Sequence, residues 1–166
     1  MVVNKKHMKI IAFDQATKTT GYAVIVDGQL TRHGVITAKA SLDIIPRMFL
    51  MTRMIRDVIY EEKPDAVYFE GVEAVRNERT MIYLANLQGM CLHSTHEAGY
   101  GVATFDPTVW RHELGFAVGR GVKRAENKAE AVRYVHDKYS VECGDDEAEA
   151  ICIATVAWKK RLDSKE

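Results

Sequence analysis

The chain has 166 residues, 47% of them hydrophobic, and its 23 basic and 23 acidic side chains cancel to zero net charge. That is chain enough for one domain, 1–166, with a real core. Its apolar runs fall short of the roughly 20 residues that cross a bilayer, and no long apolar segment follows the charged start, so neither a span nor a secretory signal is expected.

Lys9-Ile10-Ile11-Ala12-Phe13-Asp14 reads as a short buried strand that ends in a carboxylate. A small polar turn, Gln15 to Gly21, follows it, and Tyr22 to Val26 runs back as a second strand. Asp27-Gly28 is a tight hairpin signal, which makes Leu30 to Thr37 a third, antiparallel strand. Ser41 or Asp43 can cap a helix that runs to about Glu61 and carries Ile45, Met48, Phe49, Thr52, Ile55 and Ile59 on one stripe. Lys63-Pro64-Asp65 stops it. Ala66-Val67-Tyr68-Phe69-Glu70 is a fourth strand, again apolar and again ended by a carboxylate. After a polar loop to Arg79, Thr80 to about Ala98 reads as a helix in which Ala85 and Gly89 permit close packing. His93 and His96 on it have no third ligand nearby, so a surface or capping pair is expected. Gly101 to Phe105 is the fifth strand, and Pro107 opens a short helix through Glu113. Leu114 to Gly121 is a glycine-rich mobile loop without the lysine and hydroxyl of a phosphate loop. Helices over Glu126 to Tyr139 and from Gly144 to about Lys160 complete the chain.

A strand, a helix and a further strand in one sheet give a right-handed crossover and parallel pairing. Asp14 and Glu70 then share the carboxyl edge of an α/β sheet, where ligands bind. Neighbouring strands lie about 4.8 Å apart, and two carboxylates buried that close require a shared cation or proton. Asp145, Asp146, Glu147 and Glu149 crowd the start of the last helix. Acidic residues there serve as caps and complement the helix dipole. Asp146 and Glu149, however, share a face that continues into apolar Cys152, Ile153 and Val156. Carboxylates on a buried side need a partner, and with Asp14 and Glu70 also acidic, that partner is a hard divalent cation, Mg2+ or Mn2+. Cys91, Cys143 and Cys152 are an odd set without CxxC spacing, which argues against disulfides and a zinc ribbon and for a reducing cytoplasm.

A strand-end Asp with Thr20-Gly21-Tyr22, the strand Val67-Tyr68-Phe69-Glu70, and Asp146-Glu147-Ala148-Glu149-Ala150-Ile151 occur here in the order and spacing of a known family. The sequence resembles the RuvC family of Holliday-junction resolvases, of the RNase H-like superfamily, and looks closest to its shorter phage-encoded members. The resemblance covers nearly the whole chain. It implies an α/β fold: a mixed five-stranded sheet, three antiparallel N-terminal strands and two further parallel ones, with helices on both faces. It implies a metal-dependent endonuclease that resolves four-way or branched DNA as a homodimer, with two ions, Mg2+ or Mn2+, per active site. Asp14, Glu70, Asp146 and Glu149 are the implied ligands; Arg111 and Lys128 assist at the phosphate. Two positions depart from the family. Glu149 stands where Asp is usual, which makes Asp145 an alternative ligand. Glu73 stands where bacterial members place an aromatic wedge.

In a two-metal phosphodiesterase the ions clamp the attacking water and the leaving oxygen. On the implied roles Asp14 bridges them, Glu70 serves one, and Asp146 with Glu149 serves the other. Arg76, Arg79, Arg111, Arg120, Lys123, Arg124 and Lys128 are candidates for phosphate contacts, with a solvated surface as the alternative. Zero net charge argues weakly against nucleic acid, yet basic residues outnumber acidic ones from Arg111 to Lys128. Trp110 and Tyr83 are expected in the core rather than stacked on bases. Three other readings stay open: an actin-like ATPase, a junction-binding module that does not cut, and an RNase acting on RNA or RNA–DNA hybrids. Against the first, Gln15 rather than glycine follows Asp14.

Overall fold

The computed structural model describes residues 7–73 and 77–163. It begins with β1 (Lys9–Asp14), β2 (Thr19–Val26) and β3 (Gln29–Thr37), then α1 (Ile44–Glu62), β4 (Ala66–Glu70) and α2 (Glu78–Glu97). β5 (Val102–Phe105), α3 (Pro107–Glu113), α4 (Arg124–Tyr139) and α5 (Asp145–Asp163) follow. The strands form one five-stranded sheet in the order β3-β2-β1-β4-β5. β1 to β3 pair antiparallel, and β4 and β5 are parallel to β1. This is the mixed RNase H-like sheet expected from the sequence.

β1 lies at the centre because it is apolar on both faces, and side-chain alternation assigns each residue a side. Ile10 and Ala12 join one core cluster, with Ile151, Ile153 and Ala154 of α5. Ile11 and Phe13 join the other, with Met51, Ile55 and Ile59 of α1 and Leu87 of α2. β4 follows the same rule: Ala66 and Tyr68 face α5, and Val67 and Phe69 face α1 and α2. By that alternation Asp14 and Glu70 both fall on the α5 side.

β2 begins at Thr19, so the turn after β1 is only 15–18. Pairing of Asp14 with Gly21 and of Thr19 with Thr37 draws the predicted turn residues into the sheet. The Asp27-Gly28 hairpin is present, both residues at positive φ (50° and 86°), as a type I′ turn requires. Asp43 is the N-cap residue of α1, without a capping hydrogen bond from its side chain.

The predicted α1 stripe is half right. Met48, Met51, Ile55 and Ile59 are buried, whereas Ile45 and Phe49 are 56% and 62% exposed. The true buried line runs 48–51–55–59, and residues 45 and 49 lie one position round. They line a groove shared with Tyr83, Ala85, Gly89 and Met90 of α2.

α5 is buried from Ala148 through Ala157. A helix apolar all round must be covered all round, and here the sheet lies on one side, α3 and α4 against others. Its alanines bring it close to the strands. At Gly21 the approach leaves no room for a side chain: a Cβ would lie 1.9 Å from the main-chain oxygen of Asp146. The first turn of α5 therefore rests on the backbone of β2, at the residue that pairs with Asp14.

Candidate active site

Three carboxylates converge where β1 meets α5. Ligand oxygens of Asp14, Asp146 and Glu149 all lie within 4.8 Å of one another. Asp14 ends the central strand; Asp146 and Glu149 lie one turn apart on α5, with Glu149 only 5% exposed. Glu70 stands outside that trio but lines the same cleft with Asp14, Glu149, Arg111 and Arg124. Its charge is the largest of those that act on Asp14.

Crowding sets the charge state. Burial first, then Glu70, Glu149 and Asp146, hold Asp14 well above the usual carboxylate range. Burial and the Glu149 charge push Glu70 up to about 7, against the opposing pull of the Trp110 N–H and Arg111. Glu149 is raised by burial despite Lys128, Arg111 and Arg124. Such a site favours a bound cation. Two side-chain cations answer part of that demand. Arg111 reaches Glu149 at 3.4 Å, Glu73 at 3.5 Å and Glu70 at 3.9 Å. Lys128 lies 2.6 Å from Asp145, 3.2 Å from Asp146 and 4.0 Å from Glu149. Burial pulls the Lys128 ammonium down, but its bonds to Asp145 and Asp146 outweigh that and leave it raised.

The roles considered for the α5 acids now separate. Asp145 is half exposed and pairs with Lys128, which holds it below its ordinary value. It also accepts from the Asp146 main-chain N–H, and Glu147 accepts weakly from that of Gly144. Local backbone bonding thus falls to Asp145 and Glu147, while Asp146 and Glu149 face Asp14. Glu73, at the wedge position, is exposed and paired with Arg111. The set is oxygen-only, part-buried to buried and short of positive charge, which fits a hard divalent ion.

Of the expected phosphate contacts, Arg111 is no surface group; its side chain is 11% exposed within the site. Arg79, Arg120, Lys123 and Arg124 are exposed. Arg79 donates to the Tyr83 hydroxyl at 2.7 Å. Arg76 lies outside the described residues. His93 and His96 are both exposed, and the three cysteines are free.

Sequence reading missed three donors to Glu70. Trp110, fully buried as expected, also donates its indole N–H to Glu70 Oε1 at 2.9 Å. Gln15 and Gln88 each donate through Nε2 to the Glu70 main-chain oxygen at 2.6 Å. Only the adjacency of Gln15 to Asp14, and of Trp110 to Arg111, hinted at a role.

No family model matches the chain. Curated relatives do. The crossover junction endodeoxyribonuclease RuvC of Syntrophomonas wolfei is 28% identical over 151 residues, covering 89% of this chain and 86% of the relative. That of Solidesulfovibrio magneticus is 26% identical, covering 86% and 87%. Among solved structures, Thermus thermophilus RuvC in complex with a Holliday junction substrate superposes with a TM-score of 0.71 at 19% identity, over 94% of this chain and 96% of that one. The yeast mitochondrial Holliday junction resolvase Ydc2 gives 0.58 at 15% identity, over 89% and 76%.

Sheet order, helix placement and an acidic carboxyl edge define the RNase H-like class. Within that class the chain is similar to the RuvC crossover junction endodeoxyribonucleases in sequence, over most of both lengths, and to Thermus thermophilus RuvC in fold.

Proposed function

We propose that this chain, a single RNase H-like domain acting in the cytoplasm, is an endonuclease that resolves four-way DNA junctions as a homodimer by metal-dependent phosphodiester hydrolysis. One observation carries the reading: Asp14, Asp146 and Glu149 meet within 4.8 Å, at an edge that Glu70 shares. These four would hold two divalent ions, Mg2+ or Mn2+, with Asp14 near both the Glu70 carboxylate and those of α5. Ions bound there lower the pKa of water and neutralise charge developing on the phosphate. Glu70, Asp146 and Glu149 fix the ligand positions from two rigid elements rather than from loops. Arg111 and Lys128, both at the carboxylates, would hold the scissile phosphate. Arg79, Arg120, Lys123 and Arg124, with Arg76, would position the DNA backbone without reading its sequence. A two-fold dimer supplies paired cuts on two strands, and α2, with Ala85 and Gly89 exposed, is the proposed interface.

The test uses a labelled four-way DNA junction, an RNA–DNA hybrid and ATP, each with Mg2+. Cutting of the junction alone is expected. Asp146→Asn should abolish that cutting yet leave junction binding intact or tighter, since the basic surface binds and the carboxylate does not. Near-normal cleavage by this variant would falsify its assignment as a ligand.

A further inference from the structure

The geometry points to Trp110 as a positioning residue for Glu70: its indole N–H fixes one carboxylate oxygen so that the other is presented to a metal ion. This rests on the proposed metal-dependent reading and adds to it a residue outside the ligand set.

A buried indole needs an acceptor for its N–H. Trp110 is fully buried and uses the carboxylate of Glu70, Oε1 at 2.9 Å. The other end of Glu70 is held as well, because Gln15 from the loop after β1 and Gln88 from α2 both donate to its main-chain oxygen. A glutamate side chain loses rotamer freedom when it is fixed. With both ends pinned, that loss is incurred on folding rather than on metal binding. The indole is itself rigidly seated. α3 anchors it, Phe116 meets it edge-on at 5.9 Å, and the Arg111 guanidinium lies 4.9 Å above its ring. Packing alone would be met by any ring of this size; the N–H is the part that touches the site. Partners of this kind typically change metal affinity by about 10- to 100-fold when removed.

Two variants separate the donor from the bulk. Trp110→Phe keeps an aromatic ring against Phe116. Replacing Trp110 with β-(3-benzothienyl)alanine keeps the full bicyclic shape and substitutes sulfur for N–H. Mn2+ binding to the DNA-free protein is measured by calorimetry, alongside melting temperature, junction affinity in EDTA, and cleavage across a Mn2+ titration. The isostere is expected to melt within a few degrees of the parent and bind junction equally. Its Mn2+ dissociation constant should rise roughly tenfold or more, with cleavage recovering at saturating Mn2+. Parent-like Mn2+ affinity in the isostere overturns the inference, whatever Trp110→Phe does to stability. A parent that takes up no Mn2+ overturns the metal reading itself, which is a different result.

Discussion

Gly21→Ala tests whether the site depends on backbone contact between β2 and α5. The new Cβ would lie 1.9 Å from the main-chain oxygen of Asp146 and 2.4 Å from its carbonyl carbon. Real Cβ atoms essentially never come closer than 3.0 Å, so the first turn of α5 must retreat by at least about 1.1 Å. No flexible side chain can absorb this, since both clashing atoms are backbone. Overpacking of this kind costs about 1–3 kcal/mol. At about 2 kcal/mol, a chain of this size melts roughly 4–8 °C lower. Activity should fall further. Asp146 and Glu149 ride on the displaced turn while Asp14 stays on β1, and a 1 Å misplacement costs on the order of 10²-fold. Calorimetric melting and Mg2+-dependent junction cleavage read the two effects, and gel-shift affinity should barely move. Gly101→Ala is the control, because a Cβ there meets nothing within 4 Å. Parent-like cleavage by Gly21→Ala would refute the view that this contact sets α5 against β1.

The pH dependence has a definite sign. Asp14, Glu70 and Glu149 are all raised, Glu70 to about 7, so the folded, metal-free protein holds protons that the unfolded chain releases lower. Its stability in EDTA should therefore fall as pH rises from about 4.5 through about 7. Asp145 and Glu62 are lowered and act below that window. Mg2+ should raise the melting temperature more at pH 8 than at pH 5; an equal or opposite effect contradicts the site's charge balance. Junction affinity should weaken steeply with salt through exposed Arg120, Lys123 and Arg124, with a log–log slope of about −0.9 per contacted phosphate. A flat dependence counts against a phosphate-tracking surface. Gly89→Ala should leave the single chain at least as stable, since its Cβ meets nothing within 4 Å and alanine favours helix by about 1 kcal/mol. It should weaken the dimer by sedimentation analysis; an unchanged dissociation constant moves the interface away from α2.

Local sequence determined the strands and their order of use. β1 and β4 declare themselves because an apolar run ended by one carboxylate has few other readings, and Pro64, Pro107 and the Asp27-Gly28 pair mark boundaries through backbone sterics alone. The crossover between those strands also placed Asp14 and Glu70 on a common edge, and the core clusters on either side of the sheet then gave them a common face. The spacing of Asp146 and Glu149 placed them together on α5. Which acid of that cluster faces the strand was a different matter. Asp145 and Asp146 are neighbours with the same chemistry, and only the seating of α5 on Gly21 and the reach of Lys128 separate them. The α1 stripe failed for a related reason: a helical wheel fixes relative angles, but only the sheet beneath decides which line is buried. Trp110, Gln15 and Gln88 were illegible as partners of Glu70 because hydrogen bonds between side chains distant in sequence leave no periodic trace. Periodicity records how a residue meets its own element; what it meets across the fold is set by packing, and here packing assembled the site.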